Sequence, residues 1–378
     1  MRETEVAVIG GGVVGCAVLY ALARRGVAGT LLEAEPALAL GASGTNSGIL
    51  HTGFDSAPGE LETRLILRSA ELRDEVLDGL GVPVLRCGAV LRPGSDAEQA
   101  TVRALAENAA RNGVAVTVGA DGALSVPGEA VTDPVAYTLA LAGAAAGAGA
   151  RVRTGARVEA ITRDGDAFVL DVGGSSPLRC AVAINCAGLF ADDVARLAGD
   201  GDFAIRPRKG EFFVFDAPGG RALERILLPV PTKRTKGVLV FPTLDGNVVA
   251  GPTAYDQDDK DDWTVRDDAA GEVLPKARAM LPALEGAKPV FRYAGLRPAG
   301  RDGVNYAIGP SPRCPGLVHV AAIRSTGLSA SLGIAEHVVG IVGGLGVALG
   351  ADRPLAPGPL PPASEPWWQR AAHHRGLA

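Results

Sequence analysis

The apolar run VAVI at residues 6–9 is followed by GGGVVG, and then by apolar positions three and four apart through VVGCAVLYALARRG. Such an order predicts a strand buried on both faces, a tight glycine turn and a helix. A second apolar run, GTLLEA, ends at Glu33 and Ala34, so residues 4–34 read as one βαβ unit with the usual right-handed crossover. The helical period returns from Thr63 to Leu80, where Gly81 is a natural stop. VLRCGAVLRP then reads as a strand, DAEQATVRALAENAARNG as a helix closed by Asn112 and Gly113, and VAVTVG as a strand.

Asp133 and Pro134 are an N-cap and a first-turn proline for an alanine-rich helix reaching Gly149. Strand patterns follow in ARVRTGARVEAITRDGDAFVLDV and CAVAINCAG, and the chain returns there to its first domain. Between 206 and 299 the period is two, in EFFVFDA, RILLPV, KGVLVFPT and NVVAGPT, with a turn at Asp245-Gly246; this predicts an antiparallel sheet. GLVHVAAI is a buried strand and Ser329 to Val342 a helix, while RPLAPGPLPPASEP reads as an extended surface tail. The fold class is therefore α/β, a Rossmann-type domain interleaved with an α+β domain built on an antiparallel sheet. The first takes residues 1–82, 132–205 and 300–350, the second 83–131 and 206–299, and the proline-rich C-terminal tail 351–378.

A chain of 378 residues, 47% hydrophobic, exceeds what one core usually holds, which agrees with two domains. The formal charge of -5 opposes nucleic acid or an anionic membrane surface as partner. Cys16, Cys87, Cys180, Cys186 and Cys314 are scattered, without CxxC or cluster spacing, and read as free thiols of a cytoplasmic protein. The start, MRETEVAVIGGG, has two glutamates before its first apolar run and does not show the basic start and long apolar stretch of an export signal, so none is expected. The apolar stretch 328–349 carries Glu336 and His337, so no transmembrane segment is expected. His319, His337, His373 and His374 show no ligand pattern, and no metal is expected.

Gly10, Gly12 and Gly15 form G-x-G-x-x-G between the first strand and helix, where small residues let a pyrophosphate approach the helix N-terminus; Glu33 can accept from a ribose diol. The motif leaves NAD and FAD open. A second fingerprint, expected of a flavoenzyme reduced by NAD(P)H, is missing: GGLGVALG at 343–350 has the wrong spacing and follows a helix.

SGTNSGILHTGF at 43–54, P-G-x-L at 58–61, IRPRKGEFFVF, GVLVFPTLDGNVVAGPTA, YAGLRP and IRSTGLSASLGIAEHV join the glycine motif in one order. Together they resemble the D-amino-acid-oxidase-type superfamily of FAD oxidoreductases over roughly residues 4–345. Within it the branch holding L-2-hydroxyglutarate oxidases and glycerol-3-phosphate dehydrogenases is the most similar. The resemblance implies FAD, with Gly10, Gly12 and Gly15 at the pyrophosphate, Glu33 at the adenosine ribose, Ser43 and Asn46 on the pyrophosphate and ribityl side, and Val158 at the adenine. Gly327 and Leu328 would lie by the pyrimidine edge of the flavin, where free helix N–H groups stabilise the charge of its reduced form.

Oxidising a secondary alcohol requires removal of both a hydride and the hydroxyl proton, and histidine ionises near neutral pH; His51, at the end of a segment lacking bulk, is the candidate base. Arg206, Arg208, Lys209, Lys233, Arg234, Lys236, Arg292 and Arg297 concentrate where the second domain should face the flavin. Arg297 is the leading candidate for gripping a carboxylate or phosphate, with Lys209 and Arg324 beside it. The implied activity is FAD-dependent oxidation of a small anionic secondary alcohol. RSTGLSAS and RCG favour glycerol 3-phosphate over L-2-hydroxyglutarate. Alternatives are an amino acid or secondary amine oxidase, and a flavin-binding subunit of an electron-transfer complex. Oxygen, a quinone or a protein would accept the electrons. Iron–sulfur ligands are lacking, and the Trp367-Trp368 pair of the tail is a candidate docking handle.

Overall fold

The structure, a computed structural model, describes residues 2–217, 223–231, 237–359 and 365–377. Lys233, Arg234 and Lys236 of the predicted basic cluster lie outside the described residues.

β1 (Arg2–Ile9) has Val6, Ala7 and Val8 wholly buried, which is why it reads as a continuous apolar run. It pairs in parallel with β2 (Thr30–Leu32) and with Leu178–Asn185, while α1 (Val13–Arg24) makes the crossover. Arg151–Arg153 extends the sheet beyond β2, and Leu317–Ala321 joins Leu178–Asn185 in parallel; hairpin strands Val158–Asp164 and Ala167–Val172 sit at its antiparallel side. Helix Pro134–Gly147 starts as expected, with Asp133 accepting from the N–H groups of Val135 (2.8 Å) and Ala136 (2.9 Å).

Helix Gly327–Gly344 is long and apolar enough to cross a membrane by length and composition. Here it is a core helix, packed on α1 and on Leu61–Gly79 and mostly buried between them. Its contact with Leu61–Gly79 is so close that a Cβ on Gly333 would lie 2.2 Å from the Leu65 carbonyl oxygen.

A second, nine-stranded sheet contains Ile205–Phe215, Ile226–Leu228, Leu239–Pro242, Val248–Gly251 and Phe291–Gly300. It is antiparallel except where Ile226–Leu228 pairs with Ala89–Leu91. Ile205–Phe215 and Phe291–Gly300 pair along their whole length, with Arg208 opposite Arg297 and Gly210 opposite Gly295. At Gly295 a Cβ would meet the Thr45 carbonyl oxygen at 2.7 Å, so this glycine lets the 41–47 loop of the first sheet's side sit directly on the second sheet.

Three elements differ from the sequence reading. VLRCGAVLRP is two strands, Val84–Leu85 and Ala89–Leu91, broken at Gly88 with φ +67°. Ala269–Met280 is a helix despite Pro275, because Ala269, Val273 and Ala277 recur every four residues and are fully buried. Within the tail, Trp367–His374 is a helix with both tryptophans buried against the chain's own Tyr293 and Phe291, so the pair is not an exposed handle.

Candidate active site

Gly10 has φ +112°, and a Cβ there would lie 2.4 Å from the Cys186 carbonyl oxygen. A Cβ on Gly15 would lie 1.9 Å from the Gly10 carbonyl oxygen, so Gly15 lets α1 approach the strand end. Gly12 is the N-cap of α1, and the first turn carries neither a side-chain cap on Gly12 nor an acidic residue. Ser43 Oγ accepts from the Val13 N–H at 2.9 Å, which brings the 41–47 loop onto this turn. Glu33 accepts from the N–H groups of Gly11 (2.5 Å) and Glu35 (2.8 Å); burial raises its pKa, which these bonds only partly offset. Asn46 Oδ1 holds the Gly48 N–H at 2.9 Å, and Val158 begins its strand beside a register shift.

Gly10, Gly12, Glu33, Ser43, Asn46, Val158, Gly327 and Leu328 all line one cavity of about 1190 Å³, which also reaches His51, Arg297 and Arg324. Gly15 shapes the turn from behind, and Lys209 does not reach the cavity. This volume slightly exceeds the roughly 300–1,000 Å³ usual for small-molecule sites. A backbone-tight glycine turn, a helix N-terminus without an acidic residue, a carboxylate at the end of β2 and a cavity of this volume fit an adenine dinucleotide.

His51 follows Ile49–Leu50, and its N–H donates to Ser329 Oγ (2.9 Å) on the last core helix. Its Nδ1 lies 2.8 Å from Glu129 Oε2, and among the described residues no protein partner is found for Nε2. Glu129 is fully buried, and its other oxygen accepts from Thr52 N–H (2.7 Å) and Thr52 Oγ1 (2.9 Å). Beneath it the buried Arg73 donates to the carbonyls of Leu50 and His51, both at 3.1 Å, and of Gly128. Burial lowers the pKa of Arg73, and the negative charge of Glu129 opposes that. A histidine with one ring nitrogen on a buried carboxylate and the other towards a cavity can take up a proton at a fixed place.

Arg297 donates to the carbonyls of Arg208 (3.2 Å), Lys209 (3.1 Å) and Thr253 (2.6 Å), and no carboxylate pairs with it among the described residues. Burial, then the charge of Arg208, push its pKa down to about 10. Gly210 gives the guanidinium room, since a Cβ there would lie 2.3 Å from Nη2. Arg297 is thus a positive group held by neutral oxygens at a cavity wall, and an anion would relieve it.

Lys209, expected beside Arg297, is instead buried with its Nζ 2.7 Å from Asp262 Oδ2. Neighbouring side chains alternate along the strand: Arg208 lines the cavity, while Lys209 is taken up by Asp262, which itself lines the cavity. Arg324 does line the cavity, but it is paired with Glu62, which also accepts from Thr326 Oγ1 (2.8 Å) and Asn305 Nδ2 (3.0 Å). Burial raises the pKa of Glu62, yet the bonds from Asn305 and Thr326 and the Arg324 charge outweigh it and hold the carboxyl below its usual range. Glu62 and Glu129 are absent from the sequence reading. The former looks like a first-turn helix charge and the latter like a loop residue; an isolated acid just before the apolar AVT at 130–132 is the one signal available.

All five cysteines are free, and among the described residues no group of three or more His, Cys, Asp and Glu is arranged to hold a metal.

A family model described as FAD dependent oxidoreductase matches residues 5–341. Glycerol 3-phosphate dehydrogenase of Caloramator mitchellensis is 28% identical over 354 residues, 89% of this chain and 73% of that protein. L-2-hydroxyglutarate dehydrogenase of Salmonella houtenae is 27% identical over 315 residues, 78% of this chain and 70% of that one. Among solved structures, dithionite-reduced L-alpha-glycerophosphate oxidase from Mycoplasma pneumoniae with FAD bound superposes with a TM-score of 0.85 at 26% identity, covering 95% of this chain and 97% of that chain.

Proposed function

The chain belongs to the FAD-dependent oxidoreductase family and FAD is its cofactor, and from that premise we propose that it oxidises the secondary alcohol of a small anionic substrate to the ketone, with glycerol 3-phosphate the favoured substrate. The observation that carries this reading is the placement of His51, backed by buried Glu129, in the same cavity as an Arg297 that lacks a counter-charge. Gly10, Gly12, Glu33, Ser43, Asn46, Val158, Gly327 and Leu328 would hold the cofactor, with Gly15 closing the turn behind it. The nine-stranded sheet is the substrate half of the site.

Bound FAD supplies the two-electron acceptor of the reaction. Arg297 takes the anionic end of the substrate by its planar fork and so fixes which carbon is presented. His51 takes the hydroxyl proton at Nε2, while Glu129 holds Nδ1–H and stabilises the imidazolium that results. Thr52 keeps that carboxylate in place, and Arg73 braces the backbone on both sides of the pair through the carbonyls of Leu50, His51 and Gly128. Glu62 occupies Arg324, so Arg324 shapes the wall near the last core helix, and Arg297 carries the main anion contact.

Glycerol 3-phosphate is placed ahead of L-2-hydroxyglutarate because the dehydrogenase and oxidase relatives named for it are matched over more of this chain. The test is an anaerobic titration of the purified yellow protein followed by its visible spectrum. Loss of the oxidised-flavin band on adding glycerol 3-phosphate supports the reading. A band that persists with this substrate and bleaches with L-2-hydroxyglutarate, or only with an amino acid or amine, overturns the substrate while leaving the family intact.

A further inference from the structure

The family match stops at residue 341, yet the C-terminal run is built into the cavity. Trp367 and Trp368 anchor helix Trp367–His374 on the second sheet, with ring centroids 5.8 Å from Tyr293 and 5.2 Å from Phe291. The same helix reaches the loop after β2 on the other side. Arg370 donates to the Leu38 carbonyl (3.0 Å), Arg375 Nη2 to the Leu40 carbonyl (2.6 Å), and His374 Nε2 lies 3.1 Å from Glu35 Oε2. That loop rests on the glycine turn: Ala39 N–H donates to the Gly11 carbonyl at 3.1 Å, and a Cβ on Gly11 would lie 2.4 Å from Leu38 Cδ2.

Among the described residues five arginines line the cavity: Arg157, Arg208, Arg297, Arg324 and Arg375. Arg157 is exposed, Arg208 pairs with Asp256, and Arg324 pairs with Glu62. Among the described residues the remaining two are held by neutral partners. For Arg297 these are three carbonyls; for Arg375 they are the carbonyls of Leu40 and Ala371 and the Trp263 ring, 4.0 Å from the guanidinium carbon. Burial lowers the pKa of Arg375, and the more distant charges of Glu35 and Asp261 offset this only in part. Two cations with no ion-pair partner among the described residues, at the wall of one cavity, suit two anionic groups, one on the substrate and one on the cofactor.

We propose that the C-terminal helix completes the FAD site: Arg375 supplies the positive charge that faces the cofactor's pyrophosphate, and the helix clamps the loop 35–40 against the glycine turn. The cofactor's affinity then depends on a residue far along the chain from the fingerprint that begins its site.

The test uses R375Q and R375K in the full chain, each stripped of flavin and titrated with FAD while protein fluorescence is followed. A truncation before Trp367 is unsuitable because it removes buried core. R375Q should raise the Kd for FAD about tenfold or more, equivalent to about 1.4 kcal/mol, in a flavin-free protein that still shows a cooperative melting transition. R375K, which keeps the charge, should recover most of the affinity. An unchanged Kd in R375Q overturns the proposal, as does an R375K that binds FAD no better than R375Q. So does an R375Q protein with normal FAD affinity but a raised KM for the anionic substrate, which would assign Arg375 to the substrate instead.

Discussion

At the scale of single residues, the site depends on charges that are compensated or left open. Glu129 is bonded at both oxygens and buried, so E129Q keeps the shape while it removes the charge opposite His51 and turns one acceptor oxygen into an N–H donor. Flavin reduction by substrate should slow about 100-fold in E129Q, the lower end of what a positioned proton acceptor contributes, while substrate affinity and flavin content hold. Stopped-flow reduction across substrate concentrations separates the two, and H51N provides the reference. An unaffected H51N removes the histidine as base; an impaired H51N beside an unaffected E129Q removes only the role of Glu129. Lys209 and Asp262 show a compensated pair. Burial works against the Asp262 charge, but Lys209 and Thr264 outweigh it and hold the carboxyl at about 2, against an ordinary 3.8. Because the folded value is the lower one, the pair's contribution is fully present above about pH 4 and is lost as pH falls towards 2. The difference in melting temperature between wild type and D262N should therefore be constant above that range and fade below it.

At the scale of elements, the last core helix does two things at once. Its start, Gly327 and Leu328, lines the cavity, and Ser329 fixes the His51 backbone, so any tilt of the helix moves the base. Its seat is set by Gly333, pressed on the Leu65 carbonyl. G333A should cost about 1–3 kcal/mol, as overpacking of a close contact does, read as a lower urea midpoint at unchanged slope. A midpoint equal to wild type would mean that the two helices separate without cost. The helical period of this segment is plain in the sequence, but its ends are not. The reading began at Ser329, and the structure begins the helix at Gly327, the residue that matters for the cavity. Ala269–Met280 was hidden by Pro275, whose usual effect on a helix is outweighed here by three fully buried small side chains.

At the scale of the whole molecule, one cavity is walled by both sheets, the 41–47 loop and the C-terminal helix, so cofactor binding and tertiary packing are linked. FAD should raise the melting temperature of the flavin-free protein, by about 2.7 kcal/mol of stability at a hundredfold excess over Kd; a melting curve indifferent to FAD would mean that these walls assemble without it. Features set by neighbours in the chain were legible in advance. The βαβ unit, the spacing of Gly10, Gly12 and Gly15, Glu33 at the strand end and the Asp133 cap depend on local period and local turn geometry. His51 and Arg297 were singled out through the family resemblance of their segments, and both line the cavity. What the tertiary structure alone decided lies between residues far apart in the chain: Glu129 behind His51 across 78 positions, Glu62 on Arg324 across 262, and Arg375 on Leu40 across 335. A charge's role depends on whether a counter-charge reaches it. Folding settles that when it turns Lys209 to Asp262, gives Arg324 to Glu62, and leaves Arg297 and Arg375 facing the cavity.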